Sequence, residues 1–523
     1  MNDISNIQAY VPAVGLTDLL PLLALLFGAI LCLIVDAASD KKGSRTLLPV
    51  ICAATLAATF AIFYADPLPT SPFLESTFRA DEFGQLGCMI ITFAALVMAL
   101  ISPPMIERRN LPSGEYYALI LFATFGMVTL VISNELLTAF IALEILSLSL
   151  YVLTGIDRRS AKAAEASFKY FILGSFATAF LVLGIAFLFG ATKTTYLSEM
   201  AHVFQTSTGS MTEINPLWVY AGFALIFVGI CFKLSLAPFH MYAPDVYEGA
   251  NTPTTMIIAT ASKVAAFALL VHVVEALSYW PAFSIGATFV IGLVAVTSMV
   301  WGNLAALVQS NIKRMLAYSS VAHTGYATVG VLVLAALPGM GLGAEDLEIA
   351  QRAVRKAIIF YLAGYTIMNI AAFGIAHYIG GEGQMGAWRG LIHRKPMAAV
   401  GMALAMFSLL GIPPTVGFMG KFFIFKEAVQ YGFTGIAIVA MLASVASAFY
   451  YLSLVVTMFM REEDEVSGVG LAGVRAAAPQ LWTGELFARV FLTISCALVI
   501  VFGIAPGLFF AWRLVQDAGI GAG

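Results

Sequence analysis

Apolar runs about 20 residues long, the length a helix needs to cross the hydrocarbon of a bilayer, recur along almost the whole chain with only short polar interruptions between them. Hydrocarbon offers no partner for an open backbone N–H or C=O, so each such run has to fold as a helix. With 60% of the 523 residues hydrophobic and only 11% charged, no stretch is left over for a separate soluble domain. The expected architecture is all-α, a polytopic membrane protein forming a single membrane domain over residues 1–523. The net charge of -3 implies no nucleic-acid partner. Cys32, Cys52, Cys88, Cys231 and Cys496 are scattered through apolar runs without a CxxC or Cys/His grouping, which speaks against disulfides, zinc and iron-sulfur ligation. The opening MNDISNIQAYVPAVG lacks the basic start and small-residue cleavage pattern of a signal peptide, so the first apolar run is expected to stay as a helix.

Apolar runs set against turn signals place fourteen helices near 16–36, 46–64, 83–101, 115–132, 135–155, 166–190, 217–238, 253–277, 282–301, 312–336, 353–380, 397–431, 434–460 and 486–511. The stretch WGNLAALVQSNIKRM, 301–315, leaves one boundary open. Lys and Arg in short loops set the orientation. One side collects Lys41, Lys42, Arg45, Arg108, Arg109, Arg158, Arg159, Lys162, Lys313, Arg314, Arg389, Arg394, Lys395, Arg461, Arg475 and Arg489. The other holds Arg79, Lys193, Arg513 and the group Arg352, Arg355, Lys356. The first side is therefore expected to be cytoplasmic and both termini periplasmic, in the inner membrane of a bacterium. The EEDE run and the small-residue stretch GVGLAGVRAAAP, 468–479, read as cytoplasmic loop.

Two blocks of five helices, 115–277 and 282–460, would enter the membrane in opposite senses, which permits an inverted repeat. The fourth helix of each carries a proline break beside a lysine, Lys233 before Pro238 and Pro413, Pro414 and Gly417 before Lys421. Paired interruptions in corresponding places are the pattern of transport sites.

A charge at the bilayer centre costs on the order of 3 kcal/mol on insertion scales. Glu144 in FIALEILSL and Lys263 in TASKVAAFALL each lie about ten residues from a helix end, roughly 15 Å deep, beyond the reach of snorkelling. Lys233 and Lys421 adjoin the breaks, where freed carbonyls need water or neighbouring groups. Burial disfavours a charged amine and a nearby carboxylate favours it, so such a lysine can change protonation at modest cost. A proton relay follows, with His240 and His323 as titratable bridges. Lys169 is near its helix start, where it either snorkels or joins the relay. A structural ion-pair reading of the same charges stays open. His272 and His377 have no polar company in sequence and Glu115 reads as a helix N-terminal charge. No GxGxxG opens a helix after a strand, and no GxxxxGK[ST] and no metal or haem spacing occurs.

KLSLAPFHMYAPDVYEGANTP with ATASKVAAFALL, QSNIKRMLAYSSVAHTGY and GIPPTVGFMGKF resemble the subunit N family of bacterial NADH-quinone oxidoreductase, respiratory complex I, over roughly residues 80–460. That family is similar to the antiporter-like subunits L and M and to multisubunit sodium/proton antiporters. The resemblance implies fourteen helices with inverted five-helix repeats, Glu144 paired with Lys233, Lys263 as central relay, Lys421 serving the far side, and His240 and Lys169 along the same polar axis. It implies proton translocation with no cofactor in this chain, and NADH, FMN, iron-sulfur clusters and quinone in partner subunits. Expected partners are subunit M, the small membrane subunits, the peripheral redox arm indirectly, and the lipid bilayer. Lysine in GFMGKF, where subunit M is expected to have glutamate, favours N. The alternative reading is an Mrp-like Na⁺/H⁺ antiporter.

Overall fold

A computed structural model describes residues 19–65, 76–79, 81–206, 215–380, 383–460 and 483–511. The chain is a helical membrane protein, and the described residues contain only isolated backbone bridges, such as Asn311 with Gln384, in place of strands. In chain order the helices are α1 Leu20–Ala38, α2 Lys41–Ala65, α3 Glu82–Ile101, α4 Ser113–Ile132, α5 Leu136–Thr154, α6 Ala161–Thr192 and α7 Pro216–Leu234. Then follow α8a Thr252–Ala259, α8b Ala261–Ser278, α9 Pro281–Leu307, α10 Ile312–Ala336, α11 Ala344–Ile379, α12a Pro396–Leu410, α12b Val416–Gln430, α13a Thr434–Ala446, α13b Ala448–Phe459 and α14 Thr483–Ile504. Among the described residues 12 spans are long and apolar enough to cross a membrane. The sequence count of fourteen also included α12, which is split into two short pieces, and α14, which is a 22-residue helix. The termini, Arg461, Arg475, Arg513, the EEDE run and 468–479 lie outside the described residues.

Continuous-looking runs turn out to be interrupted beside Lys233, Lys263 and Lys421. α7 stops at Leu234 rather than at 238, because Pro238 has no N–H to continue the ladder and constrains the residue before it. Ser235 takes the left-handed conformation, φ 58, and its N–H caps Phe232 O at 2.9 Å. The expected 253–277 helix is two, broken at Thr260 with φ -116 and ψ -86. No glycine or proline marks that break; the Thr260 hydroxyl satisfies Met256 O at 2.6 Å. The uncertain 301–315 stretch resolves into the end of α9 at Leu307 and the start of α10 at Ile312, where the Asn311 side chain accepts from Lys313 and Arg314 N–H. Two short helices, Leu197–Thr206 and Ala243–Gly249, went unread in the sequence; the first buries Leu197, Met200 and Phe204 along one face.

Helices α8, α10 and α11 are buried on every side, whereas α1, α2, α6 and α13 keep most of their surface outside the bundle. A helix packed all round by protein is where an ionisable group loses all access to lipid and water. Close contact between α6 and α7 rests on two glycines: a Cβ at Gly184 would lie 2.7 Å from Gly222 O. Among the cations that the loop count places on the outward side, Arg79, Arg355 and Lys356 are paired with acids. Arg79 pairs with Asp81 and Glu275 at 3.0 Å each, Arg355 reaches Glu275 at 3.5 Å, and Lys356 reaches Glu82 at 3.7 Å.

Candidate functional site: a buried row of lysines

Lys233 is in the last turn of α7, where its cation faces the negative end of the helix, and is 3% exposed. Its ammonium donates to Ser147 Oγ at 2.9 Å and Tyr170 OH at 3.5 Å, and stands 5.7 and 5.5 Å from the ring centres of Tyr151 and Tyr170. Phe232 O at the break, capped by the Ser235 N–H, also accepts from Tyr242 OH at 2.9 Å, so protein groups meet a demand for which water was expected. Glu144 lies one turn before Ser147 on α5 but forms no ion pair with Lys233. One of its carboxylate oxygens is buried without a hydrogen-bond partner. Its side of α5 also carries the exposed Leu137, Ile141, Leu148 and Val152, at helical spacing. A half-exposed carboxylate within an apolar stripe faces outward from this chain.

Lys263, 1% exposed, follows the Thr260 break by three residues. Its ammonium donates to Ser320 Oγ at 2.5 Å, which also accepts from Tyr365 OH at 2.7 Å and lies 3.2 Å from Tyr247 OH. Ser320 and His323 are neighbours on one face of α10, three residues apart. His323 Nδ1 lies 2.8 Å from Tyr361 OH and Nε2 lies 3.2 Å from Tyr451 OH; Tyr451 in turn meets Ser319. Tyr326, one turn further along α10, has its ring 4.9 Å from the Lys421 ammonium. Lys421 donates to Leu409 O at 3.1 Å, Leu410 O at 2.9 Å and Ser444 Oγ at 2.7 Å. Those two carbonyls are the ones that the end of α12a leaves without helical partners. Lys263, His323 and Lys421 are thus brought onto one hydroxyl-rich row centred on α10.

Tyr170 stacks on Tyr242 at 5.1 Å between Lys233 and the region of Tyr247. Neither Lys263 nor Lys421 has a carboxylate partner. Hydroxyls and carbonyls hold both, and a hydroxyl can donate and accept, which a carbonyl cannot. Sequence reading missed Ser147, Tyr170, Tyr242, Tyr247, Ser320, Tyr361, Tyr365 and Tyr451, because a tyrosine or serine in an apolar helix carries no cost that singles it out.

His240 and Lys169 are placed apart from this row. His240 follows the α7 break, 8% exposed, with Nδ1 unpartnered and its ring edge toward Trp301 and Tyr318. Lys169 is at the rim, pairing with Glu165 and Asp245 at 2.7 Å each. Asp245 also accepts from Arg314 at 2.8 Å, and Glu248 from Lys162 at 2.8 Å, which ties the 243–249 helix to α6 and α10. His272, which lacked polar company in sequence, lies with Arg79, Glu275 and Arg355 around a cavity of about 520 Å³.

Partial burial pushes the Asp245 carboxyl up, but hydrogen bonds from Lys169 and Arg314 outweigh it and hold it below its ordinary 3.8. Burial likewise raises Glu248, and bonds from Lys162 and Arg314 hold it below 4.5. Carboxylates lowered on folding contribute stability above their unfolded values and lose it as pH falls through the folded ones. Hydrogen exchange over 243–249, corrected for intrinsic rate, is expected to be equally slow at pH 7 and pH 5. It should quicken only below about pH 4; quickening already near pH 6 would contradict this latch.

Residues 133–449 match the family model described as NADH:quinone oxidoreductase/Mrp antiporter, TM. Over 526 aligned residues the chain is 38% identical to NADH-quinone oxidoreductase subunit N of Myxococcus xanthus, covering 96% of this chain and 98% of that one. The chain belongs to the NADH-quinone oxidoreductase subunit N family. A second member, from Trichlorobacter lovleyi, is 37% identical over 92% of this chain and 96% of its own length. Among solved structures, a chain of respiratory complex I from Thermus thermophilus with bound aureothin superposes with a TM-score of 0.73 at 30% identity, covering 94% of this chain and 98% of that one. The Mrp complex from Dietzia gives a TM-score of 0.73 at 20% identity over 95% of this chain and 96% of that one, a likeness of fold.

Proposed function

We propose that this subunit N family member translocates protons from cytoplasm to periplasm within NADH-quinone oxidoreductase, driven by electron transfer from NADH to quinone in other subunits. The observation that carries the reading is the row from Lys263 through Ser320 and His323 to Lys421, every member buried and bonded to groups able to pass a proton. Lys233 enters this row from Ser147 and Tyr170, Lys263 is its centre and Lys421 serves the far side. Glu144 tunes Lys233, since the proton affinity of a lysine depends on how near a carboxylate stands. His240 and Lys169 serve the cytoplasmic approach. Moving one charge against 100 mV costs about 2.3 kcal/mol, so the step must be driven, and a change in the Glu144 to Lys233 separation is the coupling we propose.

The inverted repeat, 115–277 against 282–460, gives each half a proline-marked break beside a buried lysine, Lys233 in the first and Lys421 in the second, and the first half adds the Thr260 break beside Lys263. FMN, iron-sulfur clusters and the NADH and quinone sites belong to partner subunits, and this chain performs no redox step. The membrane is the bacterial inner membrane, with both termini periplasmic. The outward-facing Glu144 stripe on α5 supports subunit M as a lateral neighbour, because a carboxylate facing lipid would remain unpaired at high cost.

The test uses the assembled complex in sealed vesicles. With Lys233→Ala, protons pumped per electron are expected to fall by this subunit's share while NADH oxidation persists. An unchanged ratio would sink the proposal. The Mrp-like reading, which the family description also covers, requires instead a solitary chain that exchanges Na⁺ for protons without flavin and iron-sulfur partners.

A further inference from the structure

α12b buries one face, made of Gly417, Gly420, Lys421, Ile424, Glu427 and Ala428. Glu427 is the second ionisable group on that face, with only Ile424 between it and Lys421. Six residues of helix separate the two by about 9 Å along the axis. α12b runs antiparallel to α11: Val416 meets Gly364, Gly420 meets Tyr361, and the rings of Phe423 and Phe360 are 5.2 Å apart. One turn past Phe423, Glu427 therefore lies level with Lys356, at the end of the molecule that holds Arg355 and Glu275. Lys421 is level with Tyr361, deeper in the bundle.

Glu427 is 6% exposed. One of its oxygens is 3.4 Å from the half-exposed Lys426 ammonium, and the other is buried with no hydrogen-bond partner. A buried carboxylate oxygen without a partner costs stability, and its only bond is long and shared with a side chain that reaches solvent. Such a group is suited to bind a proton and give it up. In sequence, FKEAVQ carries no proline, glycine or repeat that singles Glu427 out.

We propose that Glu427 is the outward proton acceptor of this chain. The Lys421 ammonium gives its proton toward Glu427, leaving a neutral amine and a carboxylic acid; the acid then releases that proton to the outer aqueous phase and becomes a carboxylate again. The step is proton transfer alone, with no redox partner. It rests on the relay reading and adds the group that completes the relay beyond Lys421.

The test compares Glu427→Gln, Glu427→Asp, Lys426→Ala and Lys421→Met in the assembled complex in vesicles, reading NADH oxidation and protons per electron. Glu427→Gln is expected to lower the ratio as far as Lys421→Met does, Glu427→Asp to restore most of it, and Lys426→Ala to leave it unchanged. If Lys421→Met fails to pump but Glu427→Gln pumps fully, the inference falls and the relay stands; if both pump fully, the relay falls too. Equal losses in Lys426→Ala and Glu427→Gln would make the pair structural and overturn the proposal. Wild-type complex gives an independent reading: dicyclohexylcarbodiimide, which attacks protonated buried carboxyls, should label the Glu427 peptide several-fold more during NADH turnover than at rest. No turnover-dependent labelling also overturns it.

Discussion

Lys263→Met in the assembled complex should leave the subunit folded and all but stop proton movement through it. Methionine keeps most of the volume of the lysine stem, so the fully buried site loses little packing, volume-conserving swaps being the best tolerated. What goes is the one group there that can carry a proton as a cation. Ser320 keeps its bonds to Tyr365 and Tyr247, so the hydroxyl row survives with a gap at its centre. Loss of a positioned proton carrier slows a transfer on the order of a hundredfold or more. Subunit content and NADH oxidation with an uncoupler present report assembly, and protons per electron report the relay. Full pumping in this variant would mean that Lys263 is a structural cation, whatever its depth.

Gly417→Ala is expected to act in the opposite way, through assembly rather than chemistry. A Cβ at Gly417 would lie 1.8 Å from the backbone oxygen of Ser408, and a backbone atom cannot swing aside. At the same place the Gly417 N–H donates to Ser408 Oγ at 3.2 Å, so α12b starts against the side of α12a. Overpacking of this kind costs about 1–3 kcal/mol, and relieving it would shift Lys421 away from Leu409 and Leu410. The thermal stability of the purified complex and the amount of this subunit in it should both drop. Gly435→Ala, where an added Cβ meets nothing within 4 Å, is the matched control; equal stability of the two variants would refute the close contact.

The breaks show what was legible and what was not. Pro238 and the Pro413, Pro414 pair announce themselves, because a residue without an N–H removes a bond from the helical ladder and its ring crowds the preceding turn. The break at Thr260 has no such mark. It exists because neighbouring helices and the Thr260 hydroxyl supply what the backbone loses, and a single run of letters holds no trace of them. The depth of Lys263 followed from counting residues to the end of its apolar run, Lys233 and Lys421 stood out beside proline breaks, and all three are buried. Lys169 near a helix start and His240 just past a break stay open in sequence between a relay role and an interfacial one. Tertiary packing put Lys169 among surface acids and left His240 at the end of the break.

By itself the sequence determined the helical membrane architecture, since apolar length and the cost of open backbone in hydrocarbon leave no other choice. It also singled out Lys233, Lys263 and Lys421 as charges held within the apolar interior. The tertiary structure alone decided what those charges touch: Lys233 on Ser147 rather than in an ion pair with Glu144, Lys263 on Ser320, Lys421 on the carbonyls of Leu409 and Leu410. The reason is one of range. Burial depth is a property of position along one helix, whereas a hydrogen bond partner comes from another helix, and serines and tyrosines look no different in sequence whether or not a buried ammonium lies against them.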